Sequence, residues 1–167
     1  MSEERFCPRC RSALHFPEGT HPACTSCEFV LYRDPKVAVA AVIEREGGIL
    51  LVRRAIDPGM GLWSFPAGFV DRGEMVQEAL RRELREELSL EIDVEDLVGV
   101  YSKPGHAVVL IVYSASVRSD SPALVVGPEN TEACSFDPQG FPPMAFSHDR
   151  QIVADWLRGR CPREGAS

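Results

Sequence analysis

The sequence predicts a chain in two parts, a short cysteine-rich segment followed by an α/β or α+β sandwich built on a mixed sheet. Four of the six cysteines fall within the first 27 residues. The rest of the chain holds several β-branched apolar runs and two amphipathic helical patterns. Strands and helices do not alternate strictly, and this favours a mixed sheet over a purely parallel one.

The cysteines of the first segment form two Cys-x-x-Cys pairs, Cys7 with Cys10 and Cys24 with Cys27. Two such pairs provide the four thiolates of a tetrahedral zinc site. A segment of roughly 30 residues buries little core, so a bound metal would supply its folding free energy. The alternatives are two disulfides or unpaired thiols, which the missing secretory signal disfavours. We therefore predict a zinc ribbon over residues 1–34.

The larger part, residues 35–160, is predicted to hold the sandwich. Apolar runs predict strands at 37–44, 49–54, 97–101 and 106–117, then a short strand, a loop and another strand between residues 124 and 136. Residues 55–68 are rich in glycine and proline and are expected to form a loop. One helix is expected over 74–88, and a second after Ser147 as its N-cap. Residues 161–167 are expected to form a flexible tail.

The composition narrows the classes of partner. A net charge of −7 disfavours non-specific binding to nucleic acid or to a membrane surface. No apolar run approaches the roughly 20 residues of a membrane span, and the first residues show no signal-peptide core. We expect a cytoplasmic protein that binds neither nucleic acid nor membrane. The sequence is also compatible with a homodimer.

The first predicted helix gathers three carboxylates, Glu83, Glu86 and Glu87, within about one turn. Glu87 projects close to the apolar stripe of the helix, where a carboxylate is costly unless a cation neutralises it. Of the neighbouring arginines, only Arg82 borders the acidic edge. A hard divalent cation such as Mg²⁺ would turn this repulsion into attraction. The ordinary alternative is a solvated charged face with i,i+4 pairs.

The residues around the three carboxylates favour a metal site over a solvated charged face. Six positions match the pattern Gly-x5-Glu-x7-Arg-Glu-U-x-Glu-Glu-x-Gly-U, in which U is aliphatic, namely Gly68, Glu74, Arg82, Glu83, Glu86 and Glu87. This stretch resembles the Nudix box, and the chain from about Phe6 to Leu157 resembles the Nudix hydrolases with an N-terminal zinc ribbon. One position departs from the pattern: Ser89 stands where the family has a glycine that ends the helix in a left-handed turn. The departure leaves the end of the helix open.

The resemblance implies an α/β/α sandwich that hydrolyses a nucleoside diphosphate linked to another group. It implies that Glu83, Glu86 and Glu87 bind Mg²⁺ or Mn²⁺, with the backbone carbonyl of Ala67 as a further ligand. Glu86 would also share a second ion or orient the attacking water. Arg82 would orient a neighbouring glutamate, and Glu74 would brace the loop before the helix.

Residues outside the box are expected to complete the site. Glu132 is slightly preferred over Glu129 as general base, and the alternative is that both are loop acids in water. Trp63 and Phe65 could stack on a base or flavin, although core packing is the commoner role of such aromatics. Arg54 would contact a phosphate or form a surface ion pair.

The resemblance favours ADP-ribose or FAD as substrate. NAD(H) pyrophosphatase or NAD-cap removal is an alternative, but that subgroup carries a Ser-Gln-Pro-Trp-Pro-Phe-Pro stretch after its box, which residues 91–110 lack. A non-catalytic nucleotide sensor or nucleic-acid module is a third hypothesis. The complete set of box carboxylates and the few basic residues of the ribbon count against it. The expected partner is therefore a small-molecule nucleoside diphosphate derivative.

Overall fold

The structure, a computed structural model, describes residues 5–17 and 21–160. The chain divides into two compact units, one ending at Pro35 and the other starting at Lys36. The observed boundary is thus one residue beyond the predicted one. The predicted tail, residues 161–167, lies outside the described residues.

The first unit holds two short antiparallel strands, β1 (Leu14–His15) and β2 (Ala23–Cys24). Its buried cluster consists of Cys7, Leu14 and Cys24, with three partly buried residues packed against them, Cys27, Phe29 and Leu31. Two of the three buried side chains are cysteines. So small an apolar cluster cannot offset the conformational entropy of the segment without a further source of stability.

The described residues of the second unit form seven strands and two helices. The strands are β3 (Lys36–Arg45), β4 (Gly48–Arg54), β5 (Trp63–Ser64), β6 (Ala67–Phe69), β7 (Ile92–Tyr101), β8 (Val108–Val117) and β9 (Asn130–Phe136). The helices are α1 (Val76–Leu88) and α2 (Asp149–Arg160). None of the described helices is both long and apolar enough to cross a membrane.

The seven strands form one mixed sheet. The order along its main path is β5-β4-β3-β8-β7, with β6 paired to β3 and β9 paired to β4. Strands β3 and β8 run parallel, whereas the other pairs are antiparallel. The predicted mixed sheet is confirmed.

Both faces of the sheet are covered by a helix. Side chains of a strand alternate between the two faces. In β3, Ala38, Ala40 and Val42 pack in the cluster that contains Ile152 and Trp156 of α2. The alternate residues pack with α1, in the cluster that contains Val39, Ala41, Ile43, Leu80, Leu84 and Leu88. The fold is therefore the expected α/β/α sandwich, and the apolar run of β3 reflects burial on both sides.

Several predicted element bounds were wrong. The segment 55–68 is not a plain loop, because β5 lies within it and β6 begins there. No strand forms near residue 124, since the amide of Val125 donates instead to the carbonyl of Leu88 at the end of α1, at 2.9 Å. Strand β7 begins at Ile92, five residues earlier than expected. It is the edge strand, where charged side chains such as Asp93 and Glu95 stay in water.

The end of α1 shows how the chain accommodates the missing glycine. Ser89 adopts the left-handed conformation itself, with φ 56° and ψ 25°. Its amide donates to the carbonyl of Arg85 at 2.9 Å, and the amide of Leu90 donates to the carbonyl of Leu84 at 3.2 Å. These two bonds cap the last turn, and burial of Leu90 holds the chain in place. The helix thus ends at the same position that a glycine would give it.

Candidate active site

The site begins where β6 passes beneath α1. Strand β6 pairs with β3 through Ala67 opposite Ala40 and Gly68 opposite Val39. A Cβ atom at Gly68 would overlap the carboxyl group of Glu83. The box glycine is therefore required for close approach, because any side chain there would displace a carboxylate of the helix.

Replacing Gly68 with Ala is expected to reduce activity much more than stability. The carboxyl end of Glu83 can swing aside, but it then leaves its place in the site, and such misplacement costs on the order of 10²-fold in kcat. Tm by thermal denaturation should change little. The matched control is Gly140→Ala, because a Cβ at Gly140 meets no atom within 4 Å. Equal activity of the two variants would contradict the assigned role of Gly68.

Arg82 organises the acidic edge of α1. Its Nε donates to Oε1 of Glu74 at 2.9 Å, and its Nη2 donates to Oε2 of Glu74 at 2.9 Å. Its Nη1 donates to Oε1 of Glu83 at 2.8 Å and reaches Oε2 of Glu86 at 3.4 Å. The hydrogen bonds from Arg82 lower the pKa of Glu74. The other two arginines of the helix pair elsewhere, Arg81 with Glu78 and Arg85 with Glu91.

Glu74 itself lies two residues before α1 rather than within it. Its Oε2 accepts from the amide of Asp71 at 3.1 Å, and its own amide donates to the carbonyl of Asp71 at 3.0 Å. Arg82 also donates to the carbonyl of Phe69 at 3.0 Å. Glu74 and Arg82 thereby tie the loop after β6 to the middle of the helix.

Glu87 is the most perturbed carboxylate of the site. Its Oε2 accepts from the amide of Ala67 at 3.3 Å. Burial raises its pKa to about 7, and the charges of Glu83 and Glu129 act in the same direction. Burial also raises the pKa of Glu83, with repulsion from Glu86 and Glu129 added to it. We call Glu83, Glu86 and Glu87 the acidic centre.

The acidic centre has the chemistry of a divalent-cation site. Glu83 and Glu87 are partly buried, and among the described residues Arg82 is the one cation that balances a negative charge there. Oxygen donors of this kind suit Mg²⁺ or Mn²⁺. The side chain of Asn130, a residue that the sequence did not single out, is buried beside Glu87, and its hydrogen bond partly opposes the rise in the pKa of that carboxyl. The donor set fits the metal that the box implies.

The two loop glutamates lie in different surroundings. Glu132 is about half exposed, and its Oε1 accepts from Nη1 of Arg53 at 3.1 Å. The charge of Glu129 raises the pKa of both Glu83 and Glu87. The carbonyl of Glu129 accepts from the amide of Ala55 at 2.8 Å, which fixes the loop.

The three expected substrate-binding residues differ in how they are placed. Phe65 is only 3% exposed and packs in the core, so its ring faces are covered. Trp63 is partly buried and meets Phe136 edge-on, with ring centroids 4.7 Å apart. Arg54 donates to the carbonyl of Pro58 at 2.7 Å, and its guanidinium lies over the ring of Phe146 at 5.3 Å. Of the three, Arg54 alone presents a charged group, and it forms no ion pair with a described carboxylate.

Among the described residues, the four ribbon cysteines are the one group of three or more metal-binding side chains whose ligand atoms converge, all within 4.8 Å of one another, and the three carboxylates of the acidic centre do not form such a group. The sulfur atoms of Cys7 and Cys27 are 3.7 Å apart, and those of Cys10 and Cys24 are 3.4 Å apart. These separations exclude disulfides, whose sulfurs are about 2.05 Å apart. They are close to the roughly 3.8 Å edge of a tetrahedron with zinc–sulfur bonds of about 2.3 Å.

The two Cys-x-x-Cys pairs are each followed by a residue in the left-handed conformation. Arg11 follows the first pair with φ 62°, and Glu28 follows the second with φ 58°. Hydrogen bonds from the backbone and side chain of Ser12 lower the pKa of the Cys10 thiol to about 6. A thiol of low pKa favours the thiolate that a metal requires.

Comparisons with known proteins agree with this geometry. The NUDIX domain family matches residues 34–156. An ADP-ribose pyrophosphatase of Methanocaldococcus jannaschii is 40% identical over 136 residues, which cover 78% of each chain. The crystal structure of a NUDIX hydrolase from Nitrosomonas europaea superposes with a TM-score of 0.80 at 30% identity, covering 93% of this chain and 92% of that one. The chain therefore belongs to the Nudix family and is a Nudix hydrolase.

A more distant relative carries a different activity in its name. The NAD-capped RNA hydrolase NudC of Stutzerimonas stutzeri is 32% identical over 93 residues, which are 55% of this chain. The matched part is 33% of that protein, so the similarity covers a third of its length.

Proposed function

We propose that this protein hydrolyses the pyrophosphate bond of ADP-ribose, with FAD as the next best substrate, in a reaction that requires Mg²⁺ or Mn²⁺. The observation that carries the proposal is the acidic centre, in which Glu87 and Glu83 lie beside β6 with an arrangement that suits a cation. The 40% identity to a protein named ADP-ribose pyrophosphatase supports the choice of substrate.

The residues of the chain have distinct parts in this reaction. Glu83, Glu86, Glu87 and the backbone carbonyl of Ala67 would hold the cation, which when bound neutralises the substrate phosphates and activates water. Arg82 keeps two of the three carboxylates in place, and Gly68 leaves room for one of them. Water attacks a phosphorus atom, the bridging P–O bond breaks, and AMP and ribose 5-phosphate leave.

We assign the general base to Glu129 rather than to Glu132. The carboxylate of Glu132 is already paired with Arg53, whereas the charge of Glu129 acts on Glu83 and Glu87. A base must lie within hydrogen-bond reach of the attacking water, and the electrostatic effect of Glu129 on Glu83 and Glu87 supports this choice. Its carboxylate would accept the proton that the water releases.

Replacing Glu129 with Gln is expected to lower kcat by about 10²-fold or more, because a positioned base contributes that much. The matched control is Glu132→Gln on the same segment, which should lose less than about threefold. Rates on ADP-ribose at saturating Mg²⁺ decide the assignment. The reverse ranking of the two variants would restore Glu132 as the base.

The substrate is tested by comparing kcat/KM for ADP-ribose, FAD, NADH, a nucleoside triphosphate and NAD-capped RNA in the presence of Mg²⁺. We expect ADP-ribose to lead, with AMP and ribose 5-phosphate as products in equal amounts. Chromatography of the nucleotide products identifies the bond that is cleaved. No turnover of any compound, together with tight binding of one, would instead support a nucleotide sensor.

NADH or NAD-capped RNA is the second candidate substrate. The ribbon before the Nudix domain and the similarity to NudC favour it. The missing Ser-Gln-Pro-Trp-Pro-Phe-Pro stretch counts against it. A clear preference for either compound in the same panel would change the substrate and leave the reaction class as it is.

A further inference from the structure

Asn130 is a buried polar residue at the first position of β9. The residue is 8% exposed, and its side chain lies beside Glu87. Burying a primary amide costs free energy unless its donors find acceptors, whereas an apolar side chain would avoid that cost. The burial of a polar side chain next to a carboxylate of the acidic centre therefore indicates a task other than core packing.

An irregularity in the pairing of β9 with β4 turns Asn130 toward α1. The register shifts by one residue just before Arg54, which lies opposite Asn130. Side chains of a regular strand alternate between two faces, and Ala133 packs in the cluster that contains the buried leucines of α1. Regular alternation would therefore place Thr131 on that side. The shift instead leaves Thr131 exposed and buries Asn130 beside Glu87, and bulges next to active sites commonly redirect a side chain in this way.

The segment before Asn130 is attached to the end of α1 by its backbone. The amide of Gly127 donates to the carbonyl of Glu87 at 2.7 Å. A Cβ atom at Gly127 would lie 2.8 Å from the carbonyl oxygen of Glu86, so the chain passes as close to the helix as a glycine allows. The amide of Asn130 in turn donates to the carbonyl of Gly127 at 3.2 Å. Asn130 is thereby fixed in position relative to Glu87.

The carboxylate of Glu87 accepts hydrogen bonds from two different elements. Its Oε2 accepts from the amide of Ala67 on β6 at 3.3 Å, and the side chain of Asn130 supplies a second hydrogen bond from β9. The amide nitrogen of Asn130 is buried and has no second acceptor among the described residues. A donor on each side restricts the directions that the carboxylate can take.

We propose that Asn130 is a positioning residue for the cation site, because its side-chain amide orients the Glu87 carboxylate toward the cation. It acts through Glu87 rather than on the cation itself. Loss of such a partner typically costs about 10–100-fold in metal affinity. Arg82 has the corresponding part for Glu83 and Glu86, to which it donates. The inference rests on the proposed cation site and assigns to it a residue outside α1 and β6.

The test measures metal binding directly and without substrate. Binding of Mn²⁺ to the full-length protein is followed by electron paramagnetic resonance, in which the signal of the free ion falls as the ion binds. Asn130→Leu keeps the side chain close to its original size and removes the donor. We expect its Kd for Mn²⁺ to rise by about 10–100-fold. Its Tm without metal should change little, because the apolar side chain avoids burying an amide. A residue needed only for folding would give a lower Tm and an unchanged Kd.

The matched control is Thr131→Val, on the next residue of the same strand. The hydroxyl of Thr131 donates to the carbonyl of Arg53 at 3.4 Å, and the residue is exposed. Its replacement should leave the Kd for Mn²⁺ unchanged. Asn130→Ala is a second variant, which keeps the test decisive if leucine disturbs the start of the strand. Its Kd should rise as in Asn130→Leu.

A double-mutant cycle shows whether Asn130 acts through Glu87. Adding Asn130→Leu to Glu87→Gln should change the Kd for Mn²⁺ by less than about threefold, because the carboxylate that Asn130 orients is already gone. An effect of full size in both backgrounds would contradict the proposed route. An unchanged Kd in Asn130→Leu together with a lower kcat would mean that Asn130 contacts the reacting groups, and the positioning role would be wrong.

This inference and the proposed function fail in different ways. If the wild type binds Mn²⁺ and Asn130→Leu binds it more weakly, the role of Asn130 stands even when no substrate is hydrolysed. If the wild type hydrolyses ADP-ribose and both proteins bind Mn²⁺ equally well, the inference alone is overturned. A wild type that binds no Mn²⁺ would overturn the cation site and the role of Asn130 together.

Discussion

Replacing Glu87 with Gln is expected to lower kcat on ADP-ribose by at least about 10²-fold. The substitution keeps the shape of the side chain and removes charge that the cation needs at the transition state. Glu86→Gln is expected to have an effect of the same order. The matched control on the same helix is Glu78→Gln, which breaks only an exposed ion pair with Arg81 and should retain activity.

The same variant is expected to be more stable than the wild type at pH 8 without added metal. Burial raises the pKa of Glu87 from 4.5 to about 7, so its ionisation disfavours the folded state. Below about pH 4.5 the Glu87 carboxyl is protonated in both the folded and the unfolded state, so its contribution to stability is fully present. As pH rises through 7 the folded state must ionise this buried group, and that stability is lost. Glutamine stays neutral, so its Tm should exceed that of the wild type by at least about 2 °C at pH 8 and match it near pH 4.

Thermal denaturation with and without Mg²⁺ completes this test. Added Mg²⁺ should raise the Tm of the wild type at pH 8, because a ligand that binds only the folded state stabilises it. It should raise the Tm of Glu87→Gln much less. If the variant lost its fold and its activity together, by circular dichroism and by rate, Glu87 would be a structural residue.

The second large effect is expected at the ribbon. The protein purified without chelator should contain one zinc ion per chain by elemental analysis. Cys24→Ser should lose most of this zinc and with it the folded state of the first unit, because structural zinc contributes about 10–16 kcal/mol to such segments. Loss of dispersed amide signals from residues 5–17 and 21–35 in NMR spectra would report that unfolding.

The control for this experiment is Cys134→Ser. Cys134 is an exposed thiol on β9 and does not belong to the cysteine cluster. Its replacement should leave the zinc content at one per chain. The signals of the second unit should persist in Cys24→Ser, since that unit has its own two-sided core. Zinc content near zero in the wild type would contradict the assignment of a zinc site to the ribbon.

Local patterns in the sequence were sufficient for much of the candidate site. The spacing of Glu83, Glu86 and Glu87 on a 3.6-residue period placed them on one side of a helix, and in the structure Arg82 donates to two of them, Glu83 and Glu86. The pairing of the cysteines likewise predicted a cluster, because each Cys-x-x-Cys is a short-range unit. Such features depend on residues a few positions apart, so the sequence alone specifies them.

Long-range contacts explain where the sequence interpretation was wrong or incomplete. Strands β5 and β6 are two and three residues long, and they form only because β4 and β3 offer their edges. Ser89 takes a conformation that favours glycine because Leu90 is anchored in the core. The proposed preference for Glu129 over Glu132 rests partly on the hydrogen bond from Arg53, which is 79 residues away from Glu132 in the chain. No local pattern contains this information.

By itself, the sequence determined the family, the order of the main strands and helices, the cysteine cluster and the acidic centre, because each of these depends on short-range periodicity or spacing. The tertiary structure alone decided that Phe65 is core and that Gly68 makes room for Glu83. It also decided that Asn130 lies beside Glu87, since a shift in the register of β9 turns its side chain toward α1. Which distant side chains share a space is fixed by packing of the whole sheet against both helices.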